Sequence, residues 1–600
     1  MTSGLVHSTG DLNPRAAGWA LVVLLAARLI LGVAYSALIP LGEAPDEADH
    51  YAYAAFIARE HRLPGGTGMT QAKHPPLFHA LAAALINATG ADADFAFLRS
   101  NPDAGVGPDA AAPNFFVHTG LERWPWQAGA LSMHLGRLVS VLAGMILVAA
   151  TYALGRAVWP AWYAGPLAAA AFVAFLPETL FVGGALSNDL LAATWATLAL
   201  WLGLRGPRLR WAAGAGLALG LAVVTKASTA MLAPVIAAAI LLPTGYSFSA
   251  LRNPFPRHWM RPAIGRVWVA AVLALLIAAP WLWRNWRLWG DPLGWPLVLA
   301  TIDRRGGPLV PADYIWLAKG WFQSFWGKFG AAGHLPMPLP FYAVWATLLV
   351  AAALGWLLPA LRPRRRGLSA AGWVTLVGAV GMTMVGIISY SRTALGTDQG
   401  RLLFPAVAPI ALLISSGIAA WLPVERTRWL PVGMGVGMAA IALLALIVGI
   451  VIPYAAPSAP SAAEVARAIP VAVTFGDGLE LVATRWDVGS ADGVSASAAR
   501  AGVTLYWRAA RPLTLDLRPA LRLLDGSGNL LWERKRSPAA GRFSTDRWPA
   551  GRLVRDVYAV PEDLLAGAAR IELGVQPFPT GDWLPVGGQP GTQFLQLSVP

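Results

Sequence analysis

The chain has 600 residues, of which 56% are hydrophobic and only 13% charged, with no cysteine and a formal net charge of +14. Soluble domains carry about 25% charged residues, so a wholly soluble chain is excluded, as are disulfides, thiolate metal sites and cysteine nucleophiles. The positive excess lies in loops between apolar segments, while the region after Ala455 is nearly balanced; the charge therefore points to membrane orientation and not to nucleic acid.

Met1 to Arg15 is polar and leads into an apolar run that ends near Pro40. That run exceeds the ~7–15 residues of a signal-peptide core, so it reads as an uncleaved first span. Apolar length places further spans at 131–150, 163–181, 188–204, 211–225, 228–243, 267–283, 340–361, 368–390, 402–421 and 430–453. The two flanking Lys226 are short and read either as full crossings or as a re-entrant pair, with Lys226 either partnering a lipid phosphate or, the better reading, snorkelling to the boundary. With a cytoplasmic N-terminus, arginines fall in every second connection: Arg156, then Arg205, Arg208 and Arg210, then Arg252, Arg257, Arg261 and Arg266, then Arg362 and Arg364 to Arg366, then Arg426 and Arg428. The expectation is an α-helical polytopic protein of the inner membrane with about eleven transmembrane helices over 1–454. Long outer loops fall at 41–130 and 284–339.

The first outer loop opens Glu43-Ala-Pro-Asp-Glu-Ala-Asp-His50. Pro45 suits the first turn of a helix, on which Glu43, Asp46 or Glu47, and His50 would share a face. A carboxylate there can act as general base toward a hydroxyl, or Glu43, Asp46 and His50 can hold a divalent metal against a phosphate. Acids in a first turn also stabilise the helix dipole with no further role. Four of them at a membrane surface, where anionic lipid repels them, favour a function. In the same loop Lys73 and His74 precede Pro75-Pro76, which stop a helix and fix the backbone, so these cations suit a phosphate. Asn188 and Asp189 follow the third span, either as helix caps or as partners of the first-loop acids. Arg284 with Arg287, Arg392 and Arg401 face outward against the orientation rule and call for an anionic partner such as a lipid phosphate. Tryptophans crowd 281–326, as an interfacial belt or as sugar platforms.

Pro457, Ser458, Pro460 and Ser461 mark a linker over 455–465. Alternating segments follow at Val503–Trp507, Leu521–Leu524 and Ile571–Val575, separated by turns such as Asp525-Gly-Ser-Gly-Asn529. They predict an extracytoplasmic all-β sandwich over 466–600, with a binding or spacing role.

The first span followed by Pro45-Asp-Glu, His50 and His74-Pro-Pro-Leu resembles the GT-C superfamily of membrane glycosyltransferases, including protein mannosyltransferases and the aminoarabinose transferases of lipid A. The pattern is closest to a bacterial group of largely uncharacterised multi-pass proteins, through Ser187-Asn-Asp189, Arg287-Leu-Trp-Gly-Asp-Pro-Leu293, Ser324-Phe-Trp-Gly327 and Gln399-Gly-Arg-Leu-Leu-Phe-Pro405. The resemblance implies transfer of a sugar from a polyprenyl-phosphate donor, with inversion, to an envelope glycan, lipid or protein hydroxyl on the non-cytoplasmic side. It implies Asp46 as base with Glu47 assisting, Asp189 as the second outer-loop acid, Lys73 or His74 on the donor phosphate, and Arg401 near the donor head group. Here histidine, not lysine, stands directly before the prolines. Two other classes of function fit many spans: a transporter or flippase of lipid-linked glycan, and a non-catalytic membrane protein whose sandwich binds envelope glycan. Against transport, the chain shows no evident internal repeat and few charges in mid-span, the exceptions being Arg28 and Arg137, which are placed near span ends.

Overall fold

The computed structural model describes residues 11–107, 110–242, 257–357, 369–487, 500–579, 581–589 and 591–598. Arg252, Arg362 and Arg364 to Arg366 lie outside them, as does the end of the expected span 340–361.

The protein is a multi-pass membrane protein. Its membrane part runs through α1 (Pro14–Leu38), α2 (Glu47–Glu60), α3 (Leu77–Thr89), α4 (Ala128–Val158), α5 (Ala164–Phe175), α6 (Pro177–Gly184), α7 (Asp189–Gly203), α8 (Leu209–Val223) and α9 (Ala233–Leu241). It continues through α10 (Arg257–Trp289), α11 (Trp295–Ala300), α12 (Pro311–Trp326), α13 (Leu339–Leu357), α14 (Ala370–Ser391), α15 (Val407–Ala419) and α16 (Leu430–Leu446). Among the described residues seven helices are long and apolar enough to cross a membrane, and α5 with α6, bent by 52°, makes an eighth if the pair is one span. Helix α7, helix α8 and the segment Ala227–Leu241 are apolar but only 15 residues long. At 1.5 Å per residue that is about 22 Å, short of the ~30 Å hydrocarbon layer. Within the described residues the eleven expected segments are largely helical, 163–181 with a break at Leu176, and three of them are too short to cross alone.

Helix α7 is packed inside the bundle, whereas α8 and α9 each bury one side and leave residues such as Leu217 and Leu241 exposed. Every residue of α5 and α6 is buried. Leu176, extended between α5 and α6, leads into Pro177 and breaks the helical ladder. Arg28 fills this break: it donates to the carbonyls of Ala174 at 3.0 Å and Thr179 at 2.8 Å. Arg28 stands in the middle of α1 and is buried, which corrects the expectation of a place near a span end. A cation at that depth is tolerated because it satisfies backbone groups that the bend frees.

Two small ribbons decorate the connections: β1 (Arg99–Ser100) with β2 (Phe116–Val117), and β3 (Lys328–Phe329) with β4 (Leu335–Pro336). After Tyr454 the chain enters β5 (Ile469–Phe475), β6 (Leu479–Asp487), β7 (Arg500–Ala509), β8 (Leu517–Leu524), β9 (Leu530–Lys535), β10 (Leu553–Pro561), β11 (Arg570–Pro577) and β12 (Leu595–Leu597). They form two antiparallel four-stranded sheets, ordered β10-β7-β6-β5 and β12-β11-β8-β9. Inward side chains from both, among them Leu481, Val503, Trp507, Leu521, Leu523, Ile571 and Leu573, share one apolar core. This is the expected sandwich. The Asp525 carboxylate ties its tight turn by accepting the amides of Ser527 and Asn529 at 2.8 Å.

Candidate functional site

Helix α2 begins at Glu47, two residues after Pro45, which therefore stands outside its first turn. Asp46 sits just ahead of it in the left-handed region, at φ 61° and ψ 6°, a conformation that aspartate tolerates better than most residues. Glu43 is therefore off the helix, and the expected shared face of Glu43, Asp46 and His50 does not form. The four acids of the motif divide instead. Glu43 and Glu47 are buried, whereas Asp46 and Asp49 are exposed.

Glu47 takes an Arg137 fork, with Nε at 2.7 Å from Oε1 and Nη2 at 2.8 Å from Oε2, and also accepts the amides of Gly42 at 3.1 Å and Leu186 at 2.8 Å. Its lone pairs are committed to the protein. Glu43 accepts the Phe116 amide at 2.8 Å, faces Nε2 of His118 at 3.2 Å and accepts the Tyr454 hydroxyl at 3.1 Å. The proposed metal set of Glu43, Asp46 and His50 is therefore not assembled, because Glu43 is turned toward His118. No cluster of three metal-ligating side chains occurs among the described residues.

Asp46 does meet distant residues. Its carboxylate pairs with Nη2 of Arg401, whose Nη1 donates to Asp189 at 3.1 Å and whose Nε donates to Gln399 at 2.6 Å. The other Asp189 oxygen pairs with Nζ of Lys226, and Ser187 donates to Asp189 at 3.1 Å. Lys226 does not snorkel: an ion pair with a buried acid holds it. The turn carrying Lys226 is a junction. The Leu77 amide, just after the double proline, donates to the Val224 carbonyl at 3.1 Å, and Asn188 donates to the Thr225 carbonyl at 3.3 Å. Asn188 makes that bond instead of capping α7. Asp46 is 43% exposed whereas Asp189 is 2% and Arg401 8% exposed, so Asp46 is the carboxylate that opens outward.

Arg401 lies in a 3₁₀ turn, Gly400–Ala406, that precedes α15. Two motifs cooperate to place it. A Cβ on Gly400 would lie 2.2 Å from the Phe325 amide nitrogen, so only glycine permits this approach. Ser324 accepts the Gly400 amide and donates to the Gly320 carbonyl at 2.7 Å, and the Trp321 indole donates to the Thr397 carbonyl at 2.6 Å.

Lys73 and His74 lie near the same cluster, on the side where Asp46 is exposed. Lys73 is half-buried, and its nearest described partner is the Thr301 carbonyl at 3.5 Å. His74 has its ring 5.9 Å from that of His50. His50 Nδ1 lies 2.9 Å from Nε2 of His79, which is stacked on Tyr53 at 4.1 Å between ring centroids. Arg284 and Arg392 are not in the cluster. Arg284 donates to the Pro64 carbonyl and lies over the Trp281 ring, and Arg392 is exposed at the end of α14. The tryptophans of 281–326 split: Trp281, Trp321 and Trp326 are buried, whereas Trp283, Trp286, Trp295 and Trp316 are exposed.

Burial would raise the Asp46 carboxyl, but Arg401 and His50 outweigh it and hold the group well below the usual carboxylate range. His50 is pushed down to about 4 by burial, against the pull of Asp46 and Asp189. Burial, then His50, puts His74 well below the ordinary histidine value, and burial also lowers the Lys73 ammonium against the attraction of Asp46 and Asp49. At neutral pH the histidines are thus uncharged, and the cations of the cluster are Arg401, Lys226 and Lys73. Arg401 and Lys226 are matched by Asp46 and Asp189, which leaves Lys73 near them without a carboxylate among the described ion pairs.

The sequence did not single out His79, Tyr53, His118, Glu122 or Tyr454. His79 alone has a local signal in the sequence, five residues after His74.

No family model matches the sequence, and no curated protein matches it. Among solved structures, the chain is similar to the ArnT of Cupriavidus metallidurans bound to undecaprenyl phosphate, at 13% identity and a TM-score of 0.40 over 72% of each chain. It is similar to the oligosaccharyltransferase of Archaeoglobus fulgidus at 15% identity and a TM-score of 0.40, over 72% of this chain and 51% of that one, so it spans about half of that protein. The mycobacterial arabinofuranosyltransferase AftD matches at 17% identity and a TM-score of 0.40, over 73% of this chain and 27% of its own. These are likenesses of outline.

Proposed function

We propose that this protein is a glycosyltransferase of the GT-C kind that takes its sugar from a polyprenyl-phosphate donor. The observation that supports this reading most is the meeting of Asp46, Asp189, Lys226 and Arg401, from four separate stretches of chain, in one cluster near Lys73 and His74. Asp46 is the general base, being the exposed carboxylate of the group. In the resting state Arg401 holds it weakly basic. A donor phosphate arriving beside Lys73 competes with Asp46 for Arg401, and the carboxylate that loses this partner becomes a better base.

The acceptor hydroxyl then gives its proton to Asp46 as its oxygen bonds to the anomeric carbon. The carbon–oxygen bond to phosphate breaks, and polyprenyl phosphate leaves with the electron pair and the negative charge, which Lys73 and Arg401 stabilise. His74 lines the phosphate, and attack from the face opposite the leaving group inverts the carbon. Arginine alternation along the chain supports an extracytoplasmic opening in an inner-membrane protein, with the sandwich on the same side. A glycan, lipid or protein hydroxyl is the acceptor.

The test uses the purified chain in lipid nanodiscs, offered a panel of polyprenyl-phosphate pentoses and hexoses with envelope extract as acceptor. Asp46→Asn is expected to insert normally and to lose transfer by at least ~100-fold, the usual worth of a general base. Undiminished transfer by that variant would remove Asp46 from the chemistry.

A further inference from the structure

Asp46 lies between two anchors only four residues apart. Glu47 is the inner anchor, locked by Arg137 within the helical bundle. Glu43 is the outer one, and it is tied to the sandwich by a continuous run of bonds. Nε2 of His118 faces Glu43 at 3.2 Å, while its Nδ1 lies 3.0 Å from Glu122. The hydroxyl of Ser544 lies 2.8 Å from the carbonyl of His118 and 2.6 Å from Asp546, and its single proton serves one acceptor at a time. The other oxygen of Asp546 accepts the Gly120 amide at 2.8 Å. Ser544 and Glu43 are fully buried, and His118 is 6% exposed.

Gly42, at φ +86°, fits against the Phe116 ring, where a Cβ would come within 2.7 Å. The segment 116–118 is therefore seated directly on the turn that carries Asp46. The rest of the loop is bound to the sandwich as well: Arg99 pairs with Asp516 at 2.6 Å, Asn101 donates to Ala540 at 2.9 Å, and Asn114 donates to Gly541 at 2.9 Å.

We propose that His118 is a positioning residue for Asp46, and that the C-terminal sandwich serves the site by clamping the first long connection through Ser544 and Asp546. The sandwich is then a structural part of the transferase site and not only a spacer. This rests on Asp46 acting at the site proposed above, but the clamp itself can be tested without turnover.

The experiment uses the full chain in nanodiscs as wild type, His118→Ala, His118→Gln and Ser544→Ala. Amide exchange is followed by mass spectrometry over 41–50 and over the core strands, and transfer is measured with the donor and acceptor found for the wild type. His118→Ala is expected to speed exchange over 41–50 about tenfold while β7 and β8 stay protected. Its kcat is expected to fall ~10–100-fold with the donor KM within twofold, as displacement of a catalytic group by an ångström does. Glutamine, which keeps a donor toward Glu43, restores most of the protection, and Ser544→Ala gives a smaller change in the same sense. Unchanged exchange over 41–50 in His118→Ala would overturn the proposal, as would exchange rising equally in the sandwich core and the spans. If the wild type transfers nothing, the exchange result still decides the clamp, and the failure lies with the transferase reading alone.

Discussion

Asp46 and Glu47 are neighbours in sequence with opposite fates, and burial separates them. Glu47 loses all contact with water and is compensated by a charged fork and two amides, whereas Asp46 keeps a face open and has one cation for a partner. The two residues should respond differently to the same change. Asp46→Asn is expected to cost rate and little stability. Arg137→Met leaves the Glu47 carboxylate buried without its cation, and breaking such a pair costs roughly 3–5 kcal/mol. Thermal unfolding of the two variants in one detergent will distinguish them, with Arg137→Met the less stable by a wide margin. A Tm equal to wild type for Arg137→Met would mean that the buried pair contributes nothing.

The elements explain why residues so far apart in sequence meet. Helices α7 and α8 stop short of a full crossing, and their ends place Asp189 and Lys226 inside the protein and not at its lipid face. The 3₁₀ turn at Gly400–Ala406 does the same for Arg401, held by the C-terminal half of α12. Gly400→Ala tests this arrangement. The added methyl must push α12 away from the turn, so transfer is expected to fall at least ~10-fold through displacement of Arg401. Ser324→Ala, which removes one bond and adds no bulk, is expected to lose less. If Gly400→Ala transferred as well as Ser324→Ala, the close packing of the two motifs would not be what sets the guanidinium.

For the molecule as a whole, docking of the sandwich has a pH signature. Burial would lower the His118 imidazole, but the Glu122 and Glu43 carboxylates outweigh it and push the group up to about 9. The groups facing it are these two acids, the Tyr454 hydroxyl on Glu43 and Arg547, which reaches the His118 carbonyl at 3.5 Å. Tyr454 is raised well above its ordinary value by burial and by Glu43, so it keeps its proton in this range. Because the folded value lies above the ordinary histidine value of about 6.5, the stabilisation is full below about pH 6.5 and disappears as the pH rises through about 9. The difference in Tm between wild type and His118→Gln is therefore expected to be constant in mild acid and to shrink toward zero above pH 9. A difference that grew with pH would show that His118 is neutral in the folded protein.

Much of this architecture was legible in the sequence because it follows from local composition. Apolar runs fixed the helices, alternation fixed the sandwich strands, and the acids after the first span, the Lys73-His74 pair, Asp189 and Arg401 stood out as polar groups at the ends of apolar segments. Local sequence did not decide which of these would touch. That Lys226 pairs with Asp189, that Glu43 turns away to His118, that Arg284 and Arg392 stay apart from the cluster, and that Arg28 fills a helix break are all consequences of packing. Each depends on contacts between segments distant in the chain, and a buried charge takes whichever partner the fold brings within reach.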